Sequence, residues 1–249
     1  MFNLPKIFAD TSSIEEIEAL VNLGIVSGIT TNPLIVAKEA KEQEPNDYYQ
    51  KLTKKFPNLP ISIQLLDEGL EDLLSQARKY AKIAPNVVVK IPMFSGGKGL
   101  KLISTLTQEN IPTNVTALMT ADQAALSLVA GKGSGPQYVS LFYNRIKDGG
   151  GNPEKEIKAT REMIDKFGSR AEIIAGSIRS GEDVYKAATF GAHIITVAPK
   201  VIWSMIEHPK SAEFISQSQK AWDEFIAKNS KKETPRKKYL PKSSKFATA

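Results

Sequence analysis

Cysteine is absent from this chain, and histidine occurs only at His193 and His208. The first absence excludes disulfides, thiolate metal sites and cysteine nucleophiles, and the second leaves little material for a histidine-rich zinc site. No apolar run approaches the ~20 residues needed to cross a bilayer, and the first residues show no basic-then-apolar leader. A cytoplasmic protein that does not engage membranes is the expectation. A glycine-rich dinucleotide turn is also missing after the first apolar run. Ser95-Gly96-Gly97-Lys98-Gly99 fails the spacing of a nucleotide-phosphate loop and reads as a flexible connection.

The net charge of +6 invites a nucleic-acid reading, but its distribution opposes one. Lys228, Lys231, Lys232, Arg236, Lys237, Lys238, Lys242 and Lys245 crowd the end, with Glu233 the lone acid among them. The rest of the chain is therefore close to neutral. A tail over 229–249 rich in Lys, Ser and Pro buries too little to fold, so it is expected to be disordered. No nucleic-acid partner is expected. Residues 1–228 are then expected to form the single folded domain, a length that supports one large α/β core.

Short Val- and Ile-rich runs alternate with helix-like stretches. The runs are Lys6–Asp10, Gly28–Asn32, Ile61–Leu66, Val87–Pro92, Thr113–Leu118, Tyr138–Tyr143, Glu172–Ser177 and His193–Ala198. They read as buried parallel strands. Ser12 and Ser13 before Glu15 and Glu16 form overlapping capping boxes ahead of a stripe of Ile14, Ile17 and Leu20. Helices are further expected over Glu68–Ile83, Gly99–Gln108, Thr120–Ala130, Pro153–Phe167, Gly181–Phe190 and Pro199–Ile206, with an extra one over Ala212–Ala227. Eight strand-then-helix units predict an α/β fold, a single (β/α)8 TIM barrel, with a doubly wound open sheet as the alternative.

Within Val87-Val88-Val89-Lys90-Ile91-Pro92 a lysine interrupts an apolar strand. Burying an unpaired ammonium is costly and drives the group toward neutrality. At an unperturbed pKa near 10.4, fewer than about 1 in 1000 lysines are neutral at pH 7. Desolvation changes that fraction and makes Schiff-base formation with a carbonyl practical. Period two along the strands selects further polar residues for the barrel lumen near its C-terminal end: Asp10, Thr30, Asn32, Gln64, Asn114, Thr116, Ser140 and Ser177, with Phe142 among them. Asp10 is the lone carboxylate of the set and the candidate acid/base. Asn32, Asn114 and Ser140 suit a polyol, while Thr116 and Gln64 suit a water that forms and hydrolyses an imine. Arg145 and Arg179 follow strands six and seven, where an anion is gripped bidentately. A non-catalytic barrel that binds acidic partners through its tail is the competing class.

These residues resemble the transaldolase family, including its small members and the fructose-6-phosphate aldolases, from about Lys6 to Phe225. Phe8-Ala9-Asp10-Thr11, Gly28-Ile29-Thr30-Thr31-Asn32-Pro33, Val89-Lys90-Ile91-Pro92, Asn114-Val115-Thr116, Ser140-Leu141-Phe142 with Arg145, and Ser177-Ile178-Arg179 carry the resemblance in order. It implies class I aldol chemistry on a ketose phosphate. Lys90 would bind the ketone, Asp10 would shuttle protons, and Arg145, Ser177 and Arg179 would hold the terminal anion. No metal or organic cofactor is expected, and a homo-oligomer through the helix at Ala212–Ala227 is. The site is mixed. Transaldolases carry Glu where Gln64 stands and the aldolases carry Gln, whereas Phe142 is a transaldolase feature that replaces the aldolases' Tyr. Leu34 stands where a small hydroxyl residue commonly follows the Thr-Thr-Asn-Pro motif. Extra residues occur around Ser95–Lys98 and Gly131–Pro136. Transfer of a dihydroxyacetone unit, cleavage releasing it, and use of a sulfonated ketose such as 6-deoxy-6-sulfofructose all remain open at this level.

Overall fold

Eight parallel strands close on themselves in chain order in the computed structural model, which describes residues 5–40, 43–66, 68–131 and 137–229. The strands are β1 Lys6–Asp10, β2 Val26–Thr30, β3 Ile61–Gln64, β4 Val87–Pro92, β5 Thr113–Leu118, β6 Tyr138–Phe142, β7 Glu172–Gly176 and β8 Ile194–Val197. Pairing of β1 with β8 completes the closure, so the open-sheet alternative fails and the expected (β/α)8 barrel stands. The helices are α1 Ile14–Asn22, α2 Pro33–Ala40, α3 Pro45–Lys55, α4 Leu70–Ala81, α5 Lys98–Gln108, α6 Ala121–Gly131, α7 Tyr143–Asp148, α8 Pro153–Phe167, α9 Gly181–Thr189, α10 Pro199–Ile206 and α11 Pro209–Asn229.

The apolar runs form strands because both of their faces are covered. Odd-numbered residues such as Ile61, Ile63, Val89, Ile91 and Val115 are fully buried against the helical layer. Inside the lumen a separate cluster of Phe8, Val88, Tyr138, Ile174 and Ile194 plugs the barrel below the polar residues. Phe8 meets Tyr138 edge to face with ring centroids 5.8 Å apart. The Phe8 ring fits because residue 28 is glycine: a Cβ there would stand 2.4 Å from the ring.

Two local readings need correction. Strand β2 starts at Val26 and ends at Thr30, earlier than the Gly28–Asn32 expectation. Asn32 leaves the strand because its Oδ1 accepts from Leu34 N–H at 3.0 Å and Ile35 N–H at 3.1 Å, which starts α2 at Pro33. At α1, Ser13 alone is the N-cap, accepting from Glu16 N–H. The Glu16 carboxylate is taken by the Thr11 hydroxyl at 2.7 Å, so the capping box is not completed, and Ser12 is buried beside it. The expected connection at Ser95–Gly97 joins β4 to α5 as a 3₁₀ turn, with Gly96 and Gly97 at positive φ.

The described residues fall into two compact units, one ending at Met205 and one beginning at Ile206. In the second, α11 extends the expected Ala212–Ala227 helix at both ends and leaves Phe214, Ile215, Trp222, Phe225 and Ile226 exposed. Beyond Asn229 the expected basic tail lies outside the described residues, as do 132–136 of the extra stretch after α6. Among the described residues, no helix is long and apolar enough to cross a membrane.

Candidate active site

Lys90 stands above the apolar plug, on the fourth strand and 5% exposed. Its Nζ donates to the Thr31 carbonyl oxygen at 2.9 Å. That carbonyl is accessible because β2 has ended and the chain is turning into α2. Burial pushes the Lys90 pKa below the ordinary lysine value, with the Asp10 charge a smaller influence in the opposite sense. With no hydrogen bond to a carboxylate among the described residues and an apolar floor below, the amine is mainly under the control of desolvation.

Several other candidates form two hydrogen-bonded groups, one across β1, β2 and β8 and one across β3, β5 and β6. Asp10 Oδ1 accepts from the Thr30 hydroxyl at 2.8 Å, and Thr30 Oγ1 lies 2.5 Å from Thr196 Oγ1. A hydroxyl has one proton, so when Thr30 gives its own to Asp10 the bond with Thr196 requires Thr196 to donate. In the second group Ser140 donates to Asn114 Oδ1 at 2.7 Å, and Asn114 Nδ2 donates to Ser62 Oγ at 3.0 Å. Lys90 is level in register with Gln64 on β3 and with Asn114 on β5. Thr116, paired with Pro92, stands one step higher, and its buried Oγ1 has no partner among the described residues. Immediately after it Ala117 adopts φ 59°, a bulge that turns Leu118 into the outer core against Leu141.

The anion candidates occupy the rim. Phe142 is half-buried, its ring packed beside Gly176. Ser177 is half-buried at φ 58°, in the left-handed region. Arg145 and Arg179 are exposed. The Arg179 guanidinium is held by both carboxylate oxygens of Asp148, through Nη1 at 2.9 Å and through Nη2. The Arg179 hydrogen bonds hold the Asp148 carboxyl below its usual range, and the charges of Arg145 and Lys147 add to this. Arg179 thus pairs with Asp148 directly, whereas Arg145 acts on that carboxylate only through its charge. Asn32 makes no hydrogen bond with either lumen group, and its Oδ1 is committed to capping α2.

Residues outside the sequence-derived set also belong here. Ser62 and Thr196 share the lumen-facing parity of their strands, a signal that was present in the sequence. Asn144 and Asp183 knit the rim turns together, and only the Ser180-x-x-Asp183 capping box hinted at one of them. Among the described residues, no group of three or more His, Asp or Glu side chains is placed to hold a metal ion.

The chain matches the model of the family described as transaldolase/fructose-6-phosphate aldolase over residues 7–245. It is 37% identical over 223 residues to a probable transaldolase of Streptococcus equi subsp. zooepidemicus, covering 88% of this chain and 99% of that protein. A probable transaldolase 2 of Listeria monocytogenes is 38% identical over 226 residues, covering 90% of this chain and 98% of its own length. A probable transaldolase of Clostridium acetobutylicum is also 38% identical over 223 residues, covering 90% of this chain and all of its own.

Proposed function

The chain belongs to the transaldolase/fructose-6-phosphate aldolase family of enzymes, and we propose that it moves a dihydroxyacetone unit from a fructose 6-phosphate-like ketose to an aldehyde acceptor through a Schiff base on Lys90. The observation that carries this reading is a buried lysine amine of lowered pKa, ringed by a carboxylate, amides and hydroxyls at the C-terminal end of a barrel.

The neutral Lys90 amine attacks the ketone carbon, and loss of water leaves an iminium. Thr116 Oγ1, buried and with hydrogen-bonding capacity to spare, holds that water together with Gln64. Asp10 removes the proton of the hydroxyl on the far carbon of the bond to be broken, the carbon that becomes the aldehyde. The carbon–carbon bond breaks, its electron pair moves to the iminium nitrogen as an enamine, and the first aldehyde departs. Addition to a second aldehyde reverses these steps, with Asp10 returning the proton, and hydrolysis frees Lys90. Thr30 and Thr196 keep the Asp10 carboxylate oriented. Asn114 and Ser140, already oriented by each other and by Ser62, meet the sugar hydroxyls, as does Asn32 at the mouth. Ser177, Arg145 and Arg179 take the phosphate, with Arg179 exchanging Asp148 for it.

Phe142 favours transfer over simple cleavage, because it offers no hydroxyl to a hydrolytic water and so prolongs the enamine. Gln64 supports the second reading, cleavage releasing dihydroxyacetone, since it matches the aldolase pattern and cannot take a proton. Incubation with fructose 6-phosphate, with and without erythrose 4-phosphate, separates them. Glyceraldehyde 3-phosphate formed only with the acceptor supports transfer, and equal formation without it supports cleavage. A sulfonated ketose in parallel tests the anion. Residues 1–228 form the catalytic domain on this reading, and a second copy covers the apolar residues of α11 in a cytoplasmic homo-oligomer. Light scattering after size exclusion checks that assembly.

A further inference from the structure

The turns after β6 and β7 meet at a single buried oxygen. Asp183, on α9 and 7% exposed, uses Oδ2 to accept from Asn144 Nδ2 at 2.7 Å, from Arg179 N–H at 3.0 Å and from Ser180 N–H at 3.1 Å. Asn144, on α7 and 5% exposed, spends its other amide proton on the Ser177 carbonyl at 2.8 Å. Its own N–H also approaches that carbonyl, at 3.4 Å. The residue so held, Ser177, has φ 58°, a conformation that costs a non-glycine residue about 1 kcal/mol or more and persists only where the surroundings impose it.

Such a cluster exceeds the needs of the helix cap. Ser180 already provides a capping box for α9, which requires Asp183 to accept only from the Ser180 N–H. The bonds from Arg179 N–H and Asn144 add nothing to that cap; they fix the backbone on which the Ser177 hydroxyl and the Arg179 side chain are mounted. Asn144 also precedes Arg145 directly, so one amide side chain ties both arginine-bearing turns together. Burial alone would raise the Asp183 pKa, but the bonds from Asn144, the Arg179 N–H and Ser180 prevail and hold it below the usual carboxylate range. It is therefore an acceptor throughout the neutral range.

We infer that Asp183 and Asn144 are positioning residues for the anion subsite: they impose the left-handed turn at Ser177 and set the spacing of Arg145 and Arg179, without touching substrate themselves. The inference rests on the reading of this rim as the place where the ketose anion binds. Only an acceptor oxygen is needed at residue 183, since Oδ2 makes all three contacts. Asparagine there keeps one such oxygen and alanine keeps none.

The test measures Asp183→Ala, Asp183→Asn and Asn144→Ala against wild type with fructose 6-phosphate and with unphosphorylated fructose as donors. In parallel, calorimetry follows binding of inorganic phosphate, and thermal melts report folding. Asp183→Ala should raise KM for the phosphorylated donor about 10-fold while leaving kcat and the KM for fructose within about 2-fold, as loss of two hydrogen bonds that matter only for the anion implies. Phosphate binding should weaken by the same factor, and Asp183→Asn should restore both to within about 3-fold. Asn144→Ala should reproduce the split even where Asp183→Ala fails to fold. Equal KM increases for both donors, or unchanged phosphate affinity in the alanine variants, would overturn the inference and leave the proposed reaction standing. A wild type inert toward the phosphorylated donor would instead sink the proposed reaction. The phosphate titration would then still decide the role of Asp183.

Discussion

Replacing Lys90 by methionine should make the protein more stable while abolishing its activity. Lys90 is 5% exposed, and its amine has one hydrogen-bond partner among the described residues, the Thr31 carbonyl. Burying such a polar group costs about 1–3 kcal/mol on mutational scales, and a single hydrogen bond returns about 0.5–1.5 kcal/mol. Methionine matches the length of the side chain and has no polar group to desolvate, so a net gain of about 1–2 kcal/mol is expected, less whatever Asp10 loses in attraction. For a domain of this size that raises the melting temperature by roughly 2–8 °C. The sign of the pH dependence follows from the direction of the shift. The folded pKa of Lys90 lies below the ordinary lysine value, so between the two the unfolded chain binds the extra proton, and raising the pH stabilises the wild type. Lys90→Met lacks this response, and its advantage should be largest at neutral pH and shrink toward about pH 10. Urea melts of both proteins at about pH 7 and pH 9.5 measure it. A variant less stable than wild type at neutral pH, or an advantage that does not change with pH, would refute the picture of a desolvated amine.

Four further outcomes follow from the same geometry. Asp10→Asn should lower kcat by about 10²–10⁴-fold with little change in KM, read from steady-state kinetics, because the proton acceptor is gone while the Thr30 bond is kept. Phe142→Tyr should raise acceptor-independent cleavage relative to transfer by about 2–10-fold, the value of one hydrogen bond to the hydrolytic water, and product ratios with and without acceptor report it. Asp148→Asn should release Arg179 and lower KM for the phosphorylated donor by a few-fold at low salt, with the gain fading in high salt as exposed charges are screened. Gly28→Ala should cost about 1–3 kcal/mol in a denaturant melt, since its Cβ would overlap the Phe8 ring of the lumen plug.

What was legible in the sequence was whatever obeys a short period. Lys90, Asn114, Thr116 and Ser140 interrupt apolar strands at even spacing, and the closed parallel barrel buries them as that spacing requires. Ser62 and Thr196 obey the same parity, but one hydroxyl in an apolar run looks like ordinary packing until its partner is seen. At Asn32 two signals compete: the apolar run leading into it reads as strand, Asn-Pro reads as a helix start, and the cap decides for the helix. The rim was illegible for a different reason. Asn144 meets Asp183 across 39 residues of sequence, and Arg179 meets Asp148 across 31, so neither pair exists until the β6 and β7 turns are brought side by side. Nor does any residue type announce a positive φ at Ser177.

The most direct test of the central claim is to trap the intermediate. The protein is incubated with fructose 6-phosphate, reduced with borohydride, digested, and mapped by mass spectrometry. The account predicts a reduced sugar-phosphate adduct on Lys90 that disappears in Lys90→Met. An adduct on another lysine, or none with fructose 6-phosphate or any of a panel of ketose phosphates and sulfonates, would contradict it.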